Sequence, residues 1–249
     1  MMKSSRIPIN SPQTAIAPEV NQEFRNHFHS LFVDKKMPRI ESFEQNVDRY
    51  EAWFEHHRLA YESELKAIRM LLPKNGEGLE VGVGTGRFAA PLGIGVGVEP
   101  SPAMAQLARE RGIEVRFGVG ENLPCEDSSF DFVLLVTTIC FLDDVPSALA
   151  EAYRVLKPGG YILIGFVDRD SPLGEIYEQH KQDNVFYRDA TFLSADEIVT
   201  YLKQAGFDDF VFFQTIFQNL EEMKEIDSVK PGYGEGSFVV VRGTKPFVD

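Results

Sequence analysis

The sequence predicts an α/β fold, with a mainly parallel sheet and helices on both faces. From position 78 onward, short apolar runs alternate with segments whose apolar residues recur at helical spacing. Strands separated by helices need crossover connections, and these place neighbouring strands parallel. The last two apolar runs have no helical pattern between them, which favours an antiparallel pair at one end of the sheet.

The individual elements follow from these patterns in chain order. The seven predicted strands are residues 78–83, 95–99, 114–119, 130–137, 161–167, 211–217 and 237–243. The predicted helices between them are residues 88–92, 102–111, 145–156 and 194–205. Upstream, residues 43–72 carry apolar side chains at i, i+3 and i+4 steps, which predicts an amphipathic helix or two that end at Pro73.

Composition limits the kinds of protein this can be. The 249 residues include 38 acidic and 25 basic side chains, for a formal net charge of −13. Because binding to phosphates needs a basic field, no nucleic acid is expected as a partner. Two cysteines are too few for a disulfide framework or a structural zinc site, so we expect no metal and a reducing, cytoplasmic location.

The chain is expected to divide into an N-terminal arm over 1–40, a helical cap over 41–73 and a ligand-binding domain over 74–249. Residues 1–18 are polar, contain three prolines and lack the apolar stretch of a secretory signal. No apolar run approaches the ~20 residues that a membrane span needs. We therefore expect a flexible or loosely docked arm and no membrane span.

A glycine-rich loop follows the first predicted strand. Glycine permits positive φ and close approach of a ligand to the backbone, and the next helix would direct its free amides at that ligand. A dinucleotide fingerprint would need a third glycine at position 87, where this chain has Arg87. An acid two residues before the loop would repel a pyrophosphate but suits the ammonium group of a methionine moiety. The candidate ligand-binding residues here are Glu80, Gly82, Val83, Gly84 and Gly86.

Polar residues also follow the next three predicted strands, where ligands of open parallel sheets bind. Glu99, followed by Pro100, could accept both hydroxyls of a ribose, although alone it would be an ordinary surface acid. Gly120 and Glu121 begin a polar loop that could contact an adenine edge or could be a simple turn. Thr137, at the end of the fourth strand, is expected to face the reacting centre.

Together these segments resemble the class I S-adenosylmethionine-dependent methyltransferases, most nearly the small-molecule enzymes that include the ubiquinone/menaquinone-biosynthesis methyltransferases. Four matches carry the resemblance, namely residues 79–86, residues 98–101, residues 120–124, and residues 130–133 with 156–160. Many relatives have histidine or asparagine after the fourth strand, where this chain has Thr137 and Thr138.

The resemblance implies a Rossmann-like sheet of seven strands in the order 3-2-1-4-5-7-6, with strand 7 antiparallel and an N-terminal helical lid. It implies S-adenosyl-L-methionine as cofactor and a small-molecule methyl acceptor. It further implies that Glu80 and the loop glycines hold the methionine end, Glu99 the ribose, Gly120 and Glu121 the adenine, and that Thr137 lies near the methionine portion.

The acceptor site is less defined by the sequence. Tyr50 and Trp53 are candidates for an aromatic lid over the cofactor, or for ordinary core residues. The insert at 168–192 and the loop at 232–236 are further candidates. His56 and His57 are adjacent on a predicted helix, so we expect them to point in different directions and not to share a metal.

The reaction is an in-line displacement that depends mainly on alignment, and no motif identifies a base, so catalytic residues stay unassigned. Two other classes of protein remain open at this point. They are a nucleotide-dependent oxidoreductase, which the missing fingerprint glycine disfavours, and a cofactor-binding protein without catalysis. The oligomeric state is not predicted.

Overall fold

The computed structural model describes residues 40–247, and it begins with three consecutive helices, α1 (Glu41–Gln45), α2 (Val47–His56) and α3 (Arg58–Leu71). The helical stretch predicted over 43–72 is thus broken twice, at Asn46 and His57, whose backbones leave the helical region. Helix α3 ends before Leu72, which is extended because a proline follows it. The arm predicted over 1–40 lies outside the described residues, apart from its last position.

Eight strands form one sheet, where the sequence predicted seven. They are β1 (Gly78–Val81), β2 (Val96–Val98), β3 (Glu114–Arg116), β4 (Phe130–Val136), β5 (Leu156–Val167), β6 (Asp208–Thr215), β7 (Lys230–Pro231) and β8 (Phe238–Thr244). Their order is β3-β2-β1-β4-β5-β8-β6-β7. Strands β1 to β5 are parallel, and β8 runs antiparallel between β5 and β6.

The prediction of order and direction is confirmed, and the strand count is corrected by one. Strand β7 pairs antiparallel with β6 through Lys230 and Pro231 alone. Proline cannot donate to a ladder, so it is confined to positions such as this outermost edge. Strand β7 was not predicted because its two residues are too few to show the alternation of apolar and polar side chains that indicates a strand.

Helices connect the strands and cover both faces of the sheet. They are α4 (Ala89–Leu92), α5 (Pro102–Glu110), α6 (Val145–Val155), α7 (Pro172–His180) and α8 (Ala195–Gln204). Several begin with side-chain caps, among them Ser101 on Met104 and Asp144 on Ser147. Within residues 40–247, no helix is long and apolar enough to cross a membrane.

The core lies on both faces of the sheet, because successive side chains of β4 alternate between them. Val133 and Leu135 pack into the cluster that contains Leu149 of α6 and Ile198 of α8. Leu134 packs on the opposite face, and so do two other residues of the same strand. That second cluster also contains Leu65, Ile68 and Leu71 of α3, so the N-terminal helices are anchored directly on the sheet.

Strand β5 starts earlier than the run predicted at 161–167. Leu156 already pairs with Phe130, and regular pairing resumes with Tyr161 opposite Phe132. The residues between them form a bulge in which Gly159 has a φ of +77°. Residues 156–160, which carry part of the resemblance, therefore lie inside the strand as a bulge.

Candidate functional site

The glycine loop follows β1 and lies against the end of β2. The amides of Gly82 and Val83 both donate to the carbonyl of Val98, at 2.8 and 3.0 Å. Gly82, Gly84 and Gly86 have φ values of +68°, +55° and +83°. Each position therefore needs glycine. The alternate spacing of the glycines corresponds to a left-handed backbone conformation at three of the five residues from 82 to 86.

Each loop glycine is also closely approached from one side. A Cβ atom on Gly82 would lie 2.5 Å from Cγ2 of Thr138, at the end of β4. One on Gly84 would lie 3.2 Å from the Tyr50 hydroxyl. One on Gly86 would lie 2.5 Å from Cδ1 of Ile113, on the side of α5. Only Gly82 and Gly84 belong to the wall of the cavity beside the loop.

Glu99 lies between the loop and the start of α5. One of its carboxylate oxygens accepts from the amide of Gly84 and the other from that of Ser101, both at 2.8 Å. Burial raises the pKa of Glu99 to about 7. The hydrogen bonds from the two amides favour the charged form and oppose this rise. Each oxygen keeps a further lone pair, so the carboxylate is fixed in place and can still accept from two hydroxyl groups.

Glu80 lies behind the loop rather than on the cavity wall. Its side chain is 2% exposed, and among residues 40–247 its Oε2 atom has no hydrogen-bond partner. Burial, together with the charge of Glu99, raises the pKa of Glu80 well above its usual range, although a hydrogen bond from the Ala89 amide opposes this. Val83, also a predicted site residue, is buried and packs beneath Gly97.

A cavity of about 490 Å³ runs along the carboxyl ends of the parallel strands. At what we call its cofactor end, the lining residues follow β1, β2 and β3: Gly82, Gly84, Glu99, Pro100, Gly118, Val119, Gly120 and Glu121. Thr137 and Thr138 follow β4 in the middle. At what we call its aromatic end, beyond Val167 of β5, the lining includes Phe141, Leu173, Ile176, Tyr177, Phe186 and Tyr187.

The N-terminal helices cover this cavity. Tyr50, Trp53 and Phe54 of α2 and Glu64 of α3 line it. The Phe43 ring of α1 lies 5.0 Å from that of Phe141 and 5.2 Å from that of Phe186, both measured between ring centroids. Aromatic contacts therefore join the cap to the aromatic end of the cavity.

The predicted site residues divide into two groups. Nine line the cavity, namely Tyr50, Trp53, Gly82, Gly84, Glu99, Pro100, Gly120, Glu121 and Thr137, and three lie behind it, namely Glu80, Val83 and Gly86. Six residues of the insert at 168–192 line the cavity, namely Leu173, Ile176, Tyr177, Asn184, Phe186 and Tyr187. The loop at 232–236 does not line it.

Two predicted residues have backbone or side-chain arrangements that the sequence did not reveal. Thr137 has a φ of +50°, which is rare and costly for a β-branched residue. The Glu121 carboxylate accepts from the amides of Asp143 and Asp144 at 2.8 and 3.2 Å, and so helps to hold the start of α6.

The expectation that the two histidine side chains point in different directions is wrong, whereas the expectation that they share no metal stays a prediction. Helix α2 ends at His56, and His57 is the bent residue before α3, so the two are not successive positions of one helix. Their rings lie 4.6 Å apart, and their Nε2 atoms lie 3.8 and 4.0 Å from Oε1 of Glu221. His57 and Glu221 are part of the cavity lining, which the sequence did not predict for Glu221.

Sequence reasoning missed several lining residues, of which Glu64 is the most unusual. It is 4% exposed, and burial raises its pKa to about 8. The helical pattern of 43–72 contained the one local signal, because Glu64 lies three residues after Tyr61 and four before Ile68, both on the apolar face. Asn219 and Leu220 were missed because they begin a single 3₁₀ turn, Leu220–Glu222, which has no motif.

Comparison with known proteins identifies the family. Residues 79–164, from within β1 to within β5, match the methyltransferase domain family. A crystal structure from Thermotoga maritima, described as an S-adenosylmethionine-dependent methyltransferase and possible histamine N-methyltransferase, is 56% identical. The likeness covers 83% of this chain and 99% of that one, with a TM-score of 0.81.

Two curated relatives extend the comparison. An uncharacterized protein from Methanocaldococcus jannaschii is 46% identical over 203 residues, which cover 82% of this chain and 98% of that protein. The demethylmenaquinone methyltransferase of Chlorobaculum parvum is 30% identical over 166 residues, which cover 56% of this chain and 69% of that enzyme. The menaquinone-type enzymes are thus more distant than the resemblance in the sequence implied. On the strength of the family match and the Thermotoga protein, the chain belongs to the class I S-adenosylmethionine-dependent methyltransferases.

Proposed function

We propose that this methyltransferase transfers its methyl group to a small organic molecule bound at the aromatic end of the cavity. The observation that carries the proposal is the continuity of that cavity, which joins the glycine loop and Glu99 to the rings of the insert. Its volume of about 490 Å³ falls within the ~300–1,000 Å³ that is usual for small-molecule sites.

The residues at the cofactor end fit S-adenosylmethionine on their chemistry. The missing Cβ of Gly84 leaves room beside the loop for the methionine end, and the buried acid Glu80, whose Oε2 atom has no partner among residues 40–247, lies behind that loop. Glu99 would bind the ribose hydroxyls through its remaining lone pairs, and Gly120 and Glu121 would lie at the adenine.

When bound, the cofactor supplies a methyl group that is already activated by the positive sulfur. The protein then needs chiefly to align the acceptor and exclude water, and alignment alone can supply ~7–11 kcal/mol of the barrier. Tyr50 and Trp53 lie on the cap side of the cavity, where they would close it over both molecules. Thr137 lies midway along the sheet edge, between the two ends.

Calorimetric titration with S-adenosylhomocysteine tests the cofactor end. Wild type should bind with a Kd in the micromolar range, and Glu99→Ala should weaken binding about 10- to 100-fold, since two charge-assisted hydrogen bonds are lost. Glu126→Ala, at an exposed acid outside the cavity, is the control and should leave the Kd unchanged. Absence of binding by wild type would refute the cofactor assignment.

The identity of the acceptor needs a separate experiment. The Thermotoga relative is described as a possible histamine N-methyltransferase, so small amines are the first class to screen. The screen should follow release of S-adenosylhomocysteine, with alcohols, thiols and carboxylic acids of similar size beside the amines. No release with any of these classes would refute a small-molecule acceptor.

We also propose that the protein acts in the cytoplasm. Both cysteines, Cys125 and Cys140, are free thiols, as expected in a reducing compartment. Fractionation of cells that express the protein would test this, and recovery outside the cytoplasmic fraction would contradict it.

A further inference from the structure

Glu64 is a buried acid in the cavity wall for which the cofactor site has no evident use. It lies on α3, and its side chain is 4% exposed. Among residues 40–247 its carboxyl has neither a hydrogen bond nor an ion pair, although it lines the cavity. An unpaired buried carboxylate costs several kcal/mol on general grounds, so this position is expected to have a ligand as its partner.

Glu64 shares its cavity with the rings of the aromatic end. Tyr50 of the cap and Tyr177 and Tyr187 of the insert line the same cavity as Glu64. Burial raises the pKa of each of these tyrosines, and the charge of Glu64 raises it further. Aromatic faces beside a carboxylate are well suited to an organic cation, because both attract positive charge.

We propose that Glu64 binds the ammonium group of an amine acceptor and removes one proton from it, which prepares the nitrogen for methylation. The inference rests on the proposed function, since it assigns the acceptor class of the same cavity. It applies to amines large enough to contact the aromatic rings while the nitrogen lies at the carboxylate.

The chemistry balances with no further reactant. The carboxylate takes one N–H proton from the ammonium group and leaves a neutral amine with a lone pair. That lone pair forms the new N–C bond to the methyl carbon as the C–S bond breaks, and the electron pair of the broken bond stays on sulfur. The positive charge moves from sulfur to nitrogen, and the proton stays on Glu64.

Burial makes Glu64 a better proton acceptor than an exposed glutamate. It raises the pKa of Glu64 to about 8, whereas an exposed glutamate has a pKa of about 4.5 and an alkylammonium group one of about 10.4. The smaller gap makes the proton transfer less unfavourable.

The experiment uses Trp53, because it is the one tryptophan of the chain and it lines the cavity. Its fluorescence should be followed with saturating S-adenosylhomocysteine while n-butylamine or 2-phenylethylamine is added, each beside its alcohol, 1-butanol or 2-phenylethanol. The variants are Glu64→Gln and, on the same helix, Glu62→Gln, whose carboxylate instead pairs with Arg58 at 3.2 Å. Calorimetry gives the Kd of S-adenosylhomocysteine for each protein separately.

We expect 2-phenylethylamine to bind wild type and Glu62→Gln at least 20-fold more tightly than 2-phenylethanol. Glu64→Gln should lose most of that preference, keep its Kd for S-adenosylhomocysteine within twofold, and unfold at an equal or higher temperature, because a buried ionisable group without a partner among residues 40–247 is removed. In single turnovers with any amine that is methylated, Glu64→Gln should slow product formation at least 100-fold, and Glu62→Gln should not.

Three results would overturn the inference. The first is equal binding of amine and alcohol by wild type, or no amine binding at all, while S-adenosylhomocysteine binds. The second is an unchanged preference in Glu64→Gln. The third is a large loss of S-adenosylhomocysteine affinity in that variant, which would assign Glu64 to the cofactor. If wild type fails to bind S-adenosylhomocysteine, the proposed function itself is wrong.

Discussion

The carboxylate of Glu51 accepts two hydrogen bonds from the guanidinium group of Arg87, at 2.6 and 3.0 Å. Glu51 lies on the cap helix α2, and Arg87 directly follows the glycine loop. The same carboxylate also accepts from the Thr85 hydroxyl within the loop and from Arg111 after α5. Arg87, which stands where a dinucleotide fingerprint would have its third glycine, therefore connects the cap to the glycine loop through Glu51.

Replacing Glu51 by glutamine should weaken this connection. The side chain is 19% exposed and makes charge-assisted hydrogen bonds, so we expect the free energy of unfolding to fall by about 1–3 kcal/mol. Affinity for S-adenosylhomocysteine should fall several-fold, because the cap docks less firmly. Urea unfolding and calorimetry measure the two effects.

Glu55→Gln is the matched control, since Glu55 also pairs with Arg87, at 3.0 Å, but is 68% exposed. Exposed pairs contribute ~0–1 kcal/mol, so this variant should remain close to wild type. Equal losses of unfolding free energy in Glu51→Gln and Glu55→Gln would show that the hydrogen bonds of Glu51 stabilise the cap no more than the exposed pair does.

The contribution of Glu51 should also depend on pH. Burial alone would raise the pKa of Glu51, but hydrogen bonds from Arg87, Arg111 and Thr85 outweigh it and lower the pKa to about 2. A lowered folded-state pKa stabilises the protein above the unfolded value of about 4.5, and this stabilisation is lost as the pH falls from about 4.5 towards 2.

The measurement is the difference in unfolding free energy between wild type and Glu51→Gln at pH 7, 5, 4 and 3. Taking the difference removes the contributions of Glu64, Glu80 and Glu99, whose raised pKa values act in the opposite direction. The difference should be constant from pH 7 to 5 and shrink below that. A constant difference down to pH 3 would mean that Glu51 titrates normally in the folded protein.

Two glycines with similar backbones should respond differently to alanine. Gly84 and Gly93 have φ values of +55° and +74°, which alanine rarely adopts. Replacing either glycine by alanine should therefore lower the free energy of unfolding by about 1 kcal/mol. A Cβ on Gly84 would reach within 3.2 Å of the Tyr50 hydroxyl beside the cavity, whereas one on Gly93 would meet nothing within 4 Å. Only Gly84→Ala should therefore weaken S-adenosylhomocysteine binding, by tenfold or more in calorimetry. Equal affinities would mean that the ligand does not approach this part of the loop.

The sequence predicted the parts of the site that are governed by strand ends. Gly82, Gly84 and Glu99 could be placed beside one another because parallel strands end at one edge of a sheet, and the order of the motifs fixed which strands were neighbours. The cap was predicted as helical, but its break at His57 was not, because no proline or glycine marks it.

Glu64 shows a different limit of sequence reasoning. A charged residue in an amphipathic helix is usually on the solvated face, and Glu62, two positions earlier, is an ordinary example with a helical ion pair. Helical spacing assigns Glu64 to the face of α3 that carries Tyr61 and Ile68, but its burial depends on how α3 packs against strands that are far away in sequence. Such long-range packing leaves no local pattern that distinguishes a buried acid from an exposed one.

Thr137 offers a final test, because its strained backbone lies in the middle of the cavity wall. Its amide donates to the carbonyl of Gly165 at 2.8 Å, and its own carbonyl accepts from the Cys140 thiol at 3.4 Å, so its surroundings hold it at a φ of +50°. Asparagine tolerates this conformation better than a β-branched residue, so Thr137→Asn should raise the unfolding free energy by about 1 kcal/mol in urea. Thr200→Asn, at an exposed position of helix α8, should give no gain in the free energy of unfolding.

The same Thr137→Asn variant also tests ligand binding. If threonine is retained at 137 for its contact with bound ligands, the stabilised variant should bind S-adenosylhomocysteine or acceptor more weakly. A Thr137→Asn protein that is less stable than wild type would show that the side chain stabilises the turn by more than the strain costs.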